Sequence, residues 1–139
     1  MKFTIHGDGG SRGNPGPSGA GAVIRDETGS TVAVVSKFLG IQTNNFAEYE
    51  AMISAFDELL SRIPSAKRKE VEVLVKMDSM LVVRQMEGAW KIKHPNLKPQ
   101  YAKLKERVSE FGKVTFMHVY REENADADAL ANEAMDRGV

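Results

Sequence analysis

The chain has 139 residues, enough for one domain with a true core and no need of cross-links. It contains no cysteine, which excludes disulfides and thiolate metal sites and fits a reducing compartment. Nineteen basic and nineteen acidic residues cancel, so no whole-protein field marks a nucleic-acid binder, and no apolar run is long enough to span a bilayer.

Met-Lys-Phe-Thr-Ile-His leads straight into polar, glycine-rich sequence without a secretory apolar stretch, so a cytoplasmic protein is expected. Lys2 to His6 alternates apolar and polar residues, the pattern of a half-buried strand. Residues 7 to 18 hold five glycines and two prolines and read as a tight loop. Ala20 to Arg25 and Thr31 to Leu39 are two further strands joined by the turn Asp26-Glu27-Thr28-Gly29, giving an antiparallel opening to the sheet. After Thr43, the residues Phe46, Tyr49, Met52, Ile53, Phe56, Leu59 and Leu60 recur at three- and four-residue steps and predict a helix. Asn44 or Asn45 would cap it, and Pro64 would end it. Glu70 to Met77 alternates as a fourth strand, Ser79 to Met86 is a short helix stopped by Gly88, and Asn96 to Phe111 is a longer one stopped by Gly112. Val114 to Val119 is the fifth strand, and Ala125 to Met135 is a last helix with Asn124 as its cap. The order βββ-α-β-α-α-β-α implies an α/β protein: one mixed sheet with helices on its faces, in a single domain over residues 1–139.

Four acids occupy similar places in this scheme. Asp8 ends the first strand, Glu48 lies in the first turn of the first helix, Asp78 ends the fourth strand, and Asp128 lies in the first turn of the last helix. Strand ends and helix starts converge at one edge of such a sheet. Any one of these acids could brace a turn or favour a helix N-terminus. Four gathered together would repel one another unless cations neutralised them. Hard oxygen donors without thiols or clustered histidines suit Mg²⁺ or Mn²⁺ rather than zinc. Two such ions about 3.5–4 Å apart can support hydrolysis of a phosphodiester.

The residues around these acids resemble the type 1 ribonuclease H family over nearly the whole chain. Asp8-Gly9-Gly10-Ser11-Arg12-Gly13-Asn14-Pro15-Gly16-Pro17 is similar to its first-strand motif, and Thr43-Asn44-Asn45-Phe46-Ala47-Glu48 to its helix-start motif. Asp78-Ser79 followed by Val82-Val83 resembles the central motif, and Asn124-Ala125-Asp126-Ala127-Asp128-Ala129-Leu130-Ala131 the last. The resemblance implies a ribonuclease H-like fold, with a five-stranded mixed sheet and helices on both faces. It also implies an endonuclease that cuts the RNA strand of RNA–DNA hybrids and leaves 5′-phosphate and 3′-hydroxyl ends. Asp8, Glu48, Asp78 and Asp128 would hold two Mg²⁺ ions, with Mn²⁺ as a substitute and no organic cofactor. The spacing from Asn124 and the following Leu-Ala favour Asp128 over Asp126 for the fourth place. Asn14, Asn44 and Asn45 match positions that contact the hybrid, with Gly9, Gly10 and Ser79 beside the acids. Amides there can meet 2′-hydroxyls, which separate RNA from DNA. A monomer is expected.

Two departures from the family pattern matter. Many relatives carry a basic insertion between the two central helices, whereas Gly88 to Pro99 is short, with Trp90, Lys91, Lys93 and His94 as the counterpart. Weaker, more salt-sensitive binding is expected. Trp90 would stack on the DNA strand or else serve as a buried anchor. Many relatives also place a histidine before the last helix. Here the run is Tyr120-Arg121-Glu122-Glu123-Asn124, so Arg121 is the candidate to assist near the scissile phosphate, while His118 is assigned to packing.

Other classes fit less well. A 3′ exonuclease of this fold usually pairs its first-strand acids as Asp-x-Glu, but Asp8 precedes Gly9-Gly10. A silent hybrid-binding module would normally lack one of the acids. The glycine-rich stretch has no Gly-Lys-Ser/Thr, so it is no P-loop. The fragment Gly16 to Gly21 is only an imperfect dinucleotide pattern.

Overall fold

The computed structural model describes residues 1–139 and contains five strands and four α-helices in the predicted order. The strands β1 (Lys2–Ser11), β2 (Gly16–Asp26) and β3 (Thr31–Gln42) form an antiparallel meander. The chain then runs through α1 (Asn44–Arg62), β4 (Glu72–Met77), α2 (Met80–Met86), α3 (Lys98–Val108), β5 (Lys113–His118) and α4 (Ala125–Arg137). In space the strands lie in the order β3-β2-β1-β4-β5, with β4 parallel to both β1 and β5. Helical crossovers are what parallel neighbours require.

Alternation along the strands builds the core. Ile5 is registered with Val75, and Val75 with Phe116, and this buried row joins Tyr49, Met52, Ile53, Phe56 and Leu59 of α1. Those α1 residues are the stripe that the helical spacing picks out.

Residues 7–18 are not the loop that their glycines suggest. β1 continues to Ser11 and β2 begins at Gly16, leaving only a short turn. The reason is close approach by the helices. A Cβ on Gly9 would lie 2.2 Å from the Ala47 backbone of α1, and one on Gly21 would lie 2.3 Å from the Ala127 carbonyl oxygen of α4. Gly9 is registered with Ala20, and Gly21 with Asp8, so these two glycines point to opposite faces of the sheet. Helices therefore cover both faces, each admitted by a missing side chain.

Other elements differ in detail. Two short 3₁₀ turns, Ser65–Glu70 and Arg121–Asn124, stand where no helix is predicted, and β4 starts at Glu72 rather than Glu70. α1 is capped by Thr43, whose hydroxyl accepts from the Phe46 N–H at 3.2 Å. Neither asparagine caps it, because Asn44 Oδ1 accepts instead from the Ser11 N–H at 2.7 Å. Asn124 precedes α4 without a side-chain cap, since its amide donates to the Gly7 carbonyl at 2.7 Å. No helix is long and apolar enough to cross a membrane.

Candidate active site

β1 and β4 run side by side with Gly7 opposite Met77, and the next residue on each is Asp8 and Asp78. Parallel register thus sets two acids together. Asp8 lies within β1 rather than at its end, because the strand runs on to Ser11. Glu48 stands just past the first turn of α1, and the helix lies against Gly9 closely enough for the Gly9 N–H to donate to Glu48 Oε2 at 3.2 Å. One oxygen each of Asp8, Glu48 and Asp78 lie within 4.8 Å of one another.

Crowding leaves a chemical signature. Burial, the adjoining Asp128 and the charge of Asp78 push the Asp8 carboxyl up to about 8. Burial, followed by the charges of Asp8 and Asp78, holds Glu48 well above the usual carboxylate range. Asp78 Oδ1 is buried and makes no hydrogen bond. A buried carboxylate oxygen without a donor is costly unless something else satisfies it.

Asp128 comes from α4 on the other face and lines the same cleft, a cavity of about 330 Å³, without joining the tight triad. Arg121 Nη2 lies 3.6 Å from Asp128 Oδ1 at the cleft's open side. Asp126, its neighbour two residues earlier, points elsewhere and pairs with Arg25 at 2.8 Å. Gly9, Gly10 and Asn44 also line the cleft. Asn14 does not line it; its side-chain oxygen accepts from the Asn44 N–H at 3.1 Å and so locks the β1–β2 turn onto α1. Ser79 is the cap of α2, accepting from the Val82 N–H at 3.3 Å.

A second cavity of about 530 Å³ adjoins the N-terminus of α1. Asn45, Trp90, Lys91, Lys93 and His94 line it together with Leu81, Gln85, Ala89 and Leu97. Consecutive residues Asn44 and Asn45 therefore face one cavity each. Trp90 is 47% exposed and is not a buried anchor. His118 is half-buried and meets Tyr120 edge to face at 6.0 Å.

Five cleft residues, Ser11, Arg12, Ala131, Asn132 and Met135, escaped the sequence reading. Arg12 lines the cleft and pairs with Asp136 of α4 at 2.6 Å, and Asn132 follows Asp128 by one helical turn. The i, i+4 step from Asp128 was the available signal for Asn132. Arg12 stands inside the first-strand motif, but nothing local gave it a role.

The sheet order and the acidic cleft at the end of its parallel strands define the ribonuclease H-like class of α/β fold. Residues 6–134 match the Reverse transcriptase-like family. The chain is 46% identical over 137 residues to the bifunctional protein Rv2228c of Mycobacterium tuberculosis, covering 98% of this chain and 36% of that protein. It superposes on the solved N-terminal RNase H domain of that relative with a TM-score of 0.90 at 42% identity, covering 98% of this chain and all of the domain. Ribonuclease HI of Halobacterium salinarum is 39% identical over 129 residues, which cover 93% of this chain and 62% of that protein. LC11-RNase H1, isolated from compost by a metagenomic approach, matches with a TM-score of 0.90 at 48% identity, covering 98% and 96% of the two chains. LC11-RNase H1 has also been solved in complex with an RNA/DNA hybrid. The chain spans about a third of the length of the mycobacterial relative and less than two thirds of the halobacterial one. It belongs to the type 1 ribonuclease H family.

Proposed function

We propose that this protein is an endonuclease that hydrolyses the RNA strand of RNA–DNA hybrids, leaving 5′-phosphate and 3′-hydroxyl ends. The observation that carries the reading is the convergence of Asp8, Glu48 and Asp78 on a point within 4.8 Å. The hybrid bound by LC11-RNase H1, a relative covered almost end to end, supports the substrate class.

The residues fit a divalent metal site. All donors are hard oxygens, two acids are held above their ordinary range by one another and by burial, and one buried oxygen of Asp78 lacks any donor. Asp8, Glu48, Asp78 and Asp128 would hold two Mg²⁺ ions, with Mn²⁺ able to substitute. When bound, the ions supply charge neutralisation at the scissile phosphate and lower the pKa of water at the site.

The rest of the chemistry falls to the protein's own groups. The Gly9 N–H fixes the Glu48 carboxylate. The amides of Asn44 and Asn45, at the ridge between the cavities, suit hydrogen bonds to 2′-hydroxyls, with Asn14 and Gly10 beside them and Ser79 capping α2 behind Asp78. Trp90, Lys91 and Lys93 offer a ring face and two cations to the DNA strand. Arg121 stands at the open side, near the expected phosphate. In this reading residues 1–139 form one domain that acts as a cytoplasmic monomer without an organic cofactor.

A labelled RNA–DNA hybrid tests the reading, with duplex RNA, duplex DNA and single strands as controls. Internal cuts in the RNA strand that need Mg²⁺ or Mn²⁺ are expected. Shortening only from ends would point to an exonuclease, and retardation without cleavage to a binding module; either result overturns the proposal.

A further inference from the structure

The segment from Glu87 to Leu97 carries Trp90, Lys91 and Lys93, forms no helix or strand, and is exposed except at half-buried Ile92 and buried Leu97. Its few backbone bonds stay local, the Gly88, Ala89 and Trp90 N–H groups returning to Gln85 and Arg84. Arg84 of α2 pairs with Glu87 at the near end at 2.7 Å and Leu97 joins the core at the far end, while one buried polar side chain reaches the middle of the segment. Gln85 of α2 is 3% exposed, and its Nε2 donates to the Lys91 carbonyl at 3.4 Å. Its Oε1 accepts from the Tyr49 hydroxyl at 2.6 Å. Tyr49 is fully buried in α1, next to Glu48 and one turn after Asn44 and Asn45. Two polar side chains inside an apolar core thus link the helix that bears Glu48 to the exposed segment.

We infer that Tyr49 and Gln85 are positioning residues: the relay from the Tyr49 hydroxyl through Gln85 to the Lys91 carbonyl sets Trp90 and Lys91 at a fixed distance from the carboxylate cleft. This inference rests on the proposed hybrid-cleaving function. A purely structural role is the competing account, and it makes a different prediction. Removing one partner leaves a buried polar group unsatisfied, whereas replacing both with apolar groups of the same shape is nearly neutral for stability.

The test compares Gln85→Met, Tyr49→Phe and the double variant Tyr49→Phe/Gln85→Met. Trp90 is the only tryptophan in the chain, so its fluorescence anisotropy reports the segment's mobility without any substrate. Gln85→Met is expected to lower the melting temperature, and the double variant to recover most of that loss. The double variant should nonetheless show a more mobile Trp90. Its KM for the hybrid should rise about fivefold while kcat stays within about twofold. Tyr49→Phe, the mildest change, should move both readings in the same direction by less, and it serves if the double variant does not fold. Wild-type anisotropy or a wild-type KM in the variant tested overturns the inference. Failure of the wild-type protein to cut hybrids would instead overturn the function, and the anisotropy result would stand apart from it.

Discussion

Asp8, Glu48 and Asp78 sit where two parallel strands and a helix are packed against one another, whereas Trp90, Lys91 and Lys93 stand on a segment with no regular structure. The first region concentrates like charge in a buried place. The second spreads opposite charge over an open one. Crowded acids hold position only because their backbones are over-determined: Asp8 by pairing with Gly21 of β2 one residue past the last β1–β4 pair, Glu48 by α1 seated on Gly9. The basic segment depends on a few bonds to α2. A substitution in the cleft should therefore alter chemistry without loosening the fold, and one in the segment should alter grip without altering chemistry.

The largest expected effect tests the first half of that statement. Asp78→Asn keeps the side chain's shape and removes one negative charge, so cleavage should fall about a thousandfold or more. Metal-free protein should not lose stability, and its melting temperature should rise by about 2–4 °C as repulsion is relieved. Any stabilisation by added Mg²⁺ should vanish. A variant that melts lower and still cleaves would break the comparison at its centre.

Acidity sharpens the same point. Asp8 is raised to about 8 and Glu48 is raised too, so both hold protons longer in the folded chain than in the unfolded one. From the ordinary carboxyl range near 4 up to about 8, the folded state binds the extra protons, and stability falls as pH rises. Without divalent ions, this site should make the protein more stable at pH 5 than at pH 8, by several degrees in melting temperature. Mg²⁺ should remove most of the difference, and Asp8→Asn should flatten the slope. A slope of the opposite sign in the metal-free protein that Asp8→Asn leaves unchanged would contradict the crowding.

Much of this architecture is legible in the residues. Apolar steps from Phe46 to Leu60 mark the face of α1 that is buried, and alternation marks β1 and β4. Glycine was the ambiguous letter. In Gly9 and Gly21 it signals a helix backbone lying against a strand, but in one dimension that looks the same as a loop. The side-by-side placing of Asp8 and Asp78 depends on a parallel register between strands some seventy residues apart, which no local pattern encodes. Their places at strand ends and helix starts singled out the four acids, and the family resemblance added their role as ligands. The Tyr49–Gln85 pair was invisible for a related reason. Tyr49 sits on the apolar stripe and reads as core, and only the fold shows that its hydroxyl meets a buried amide.

Trp90→Ala tests the other region. Stacking of a base on an aromatic ring is worth about 1–3 kcal/mol, so the Kd for a hybrid should weaken about tenfold. Because Trp90 is 47% exposed, the melting temperature should barely change. Single-turnover cleavage at saturating hybrid should stay near the wild-type rate. If that rate collapses instead, the separation between grip and chemistry is false.

Arg121 lines the acidic cleft beside Asp128, and its expected effect is the smallest. Its side chain is 76% exposed and stands 3.6 Å from Asp128, in a pair too open to contribute more than about 1 kcal/mol to stability. A contact so weak leaves the guanidinium free to turn toward a phosphate in the cleft. Arg121→Ala should therefore lower single-turnover cleavage about threefold to tenfold and leave the melting temperature unchanged. Arg121→Lys should restore part of the rate, since it keeps the charge but loses the two-pronged geometry. Unchanged single-turnover kinetics in the alanine variant would remove Arg121 from the reaction and leave it as a rim charge tethered to Asp128.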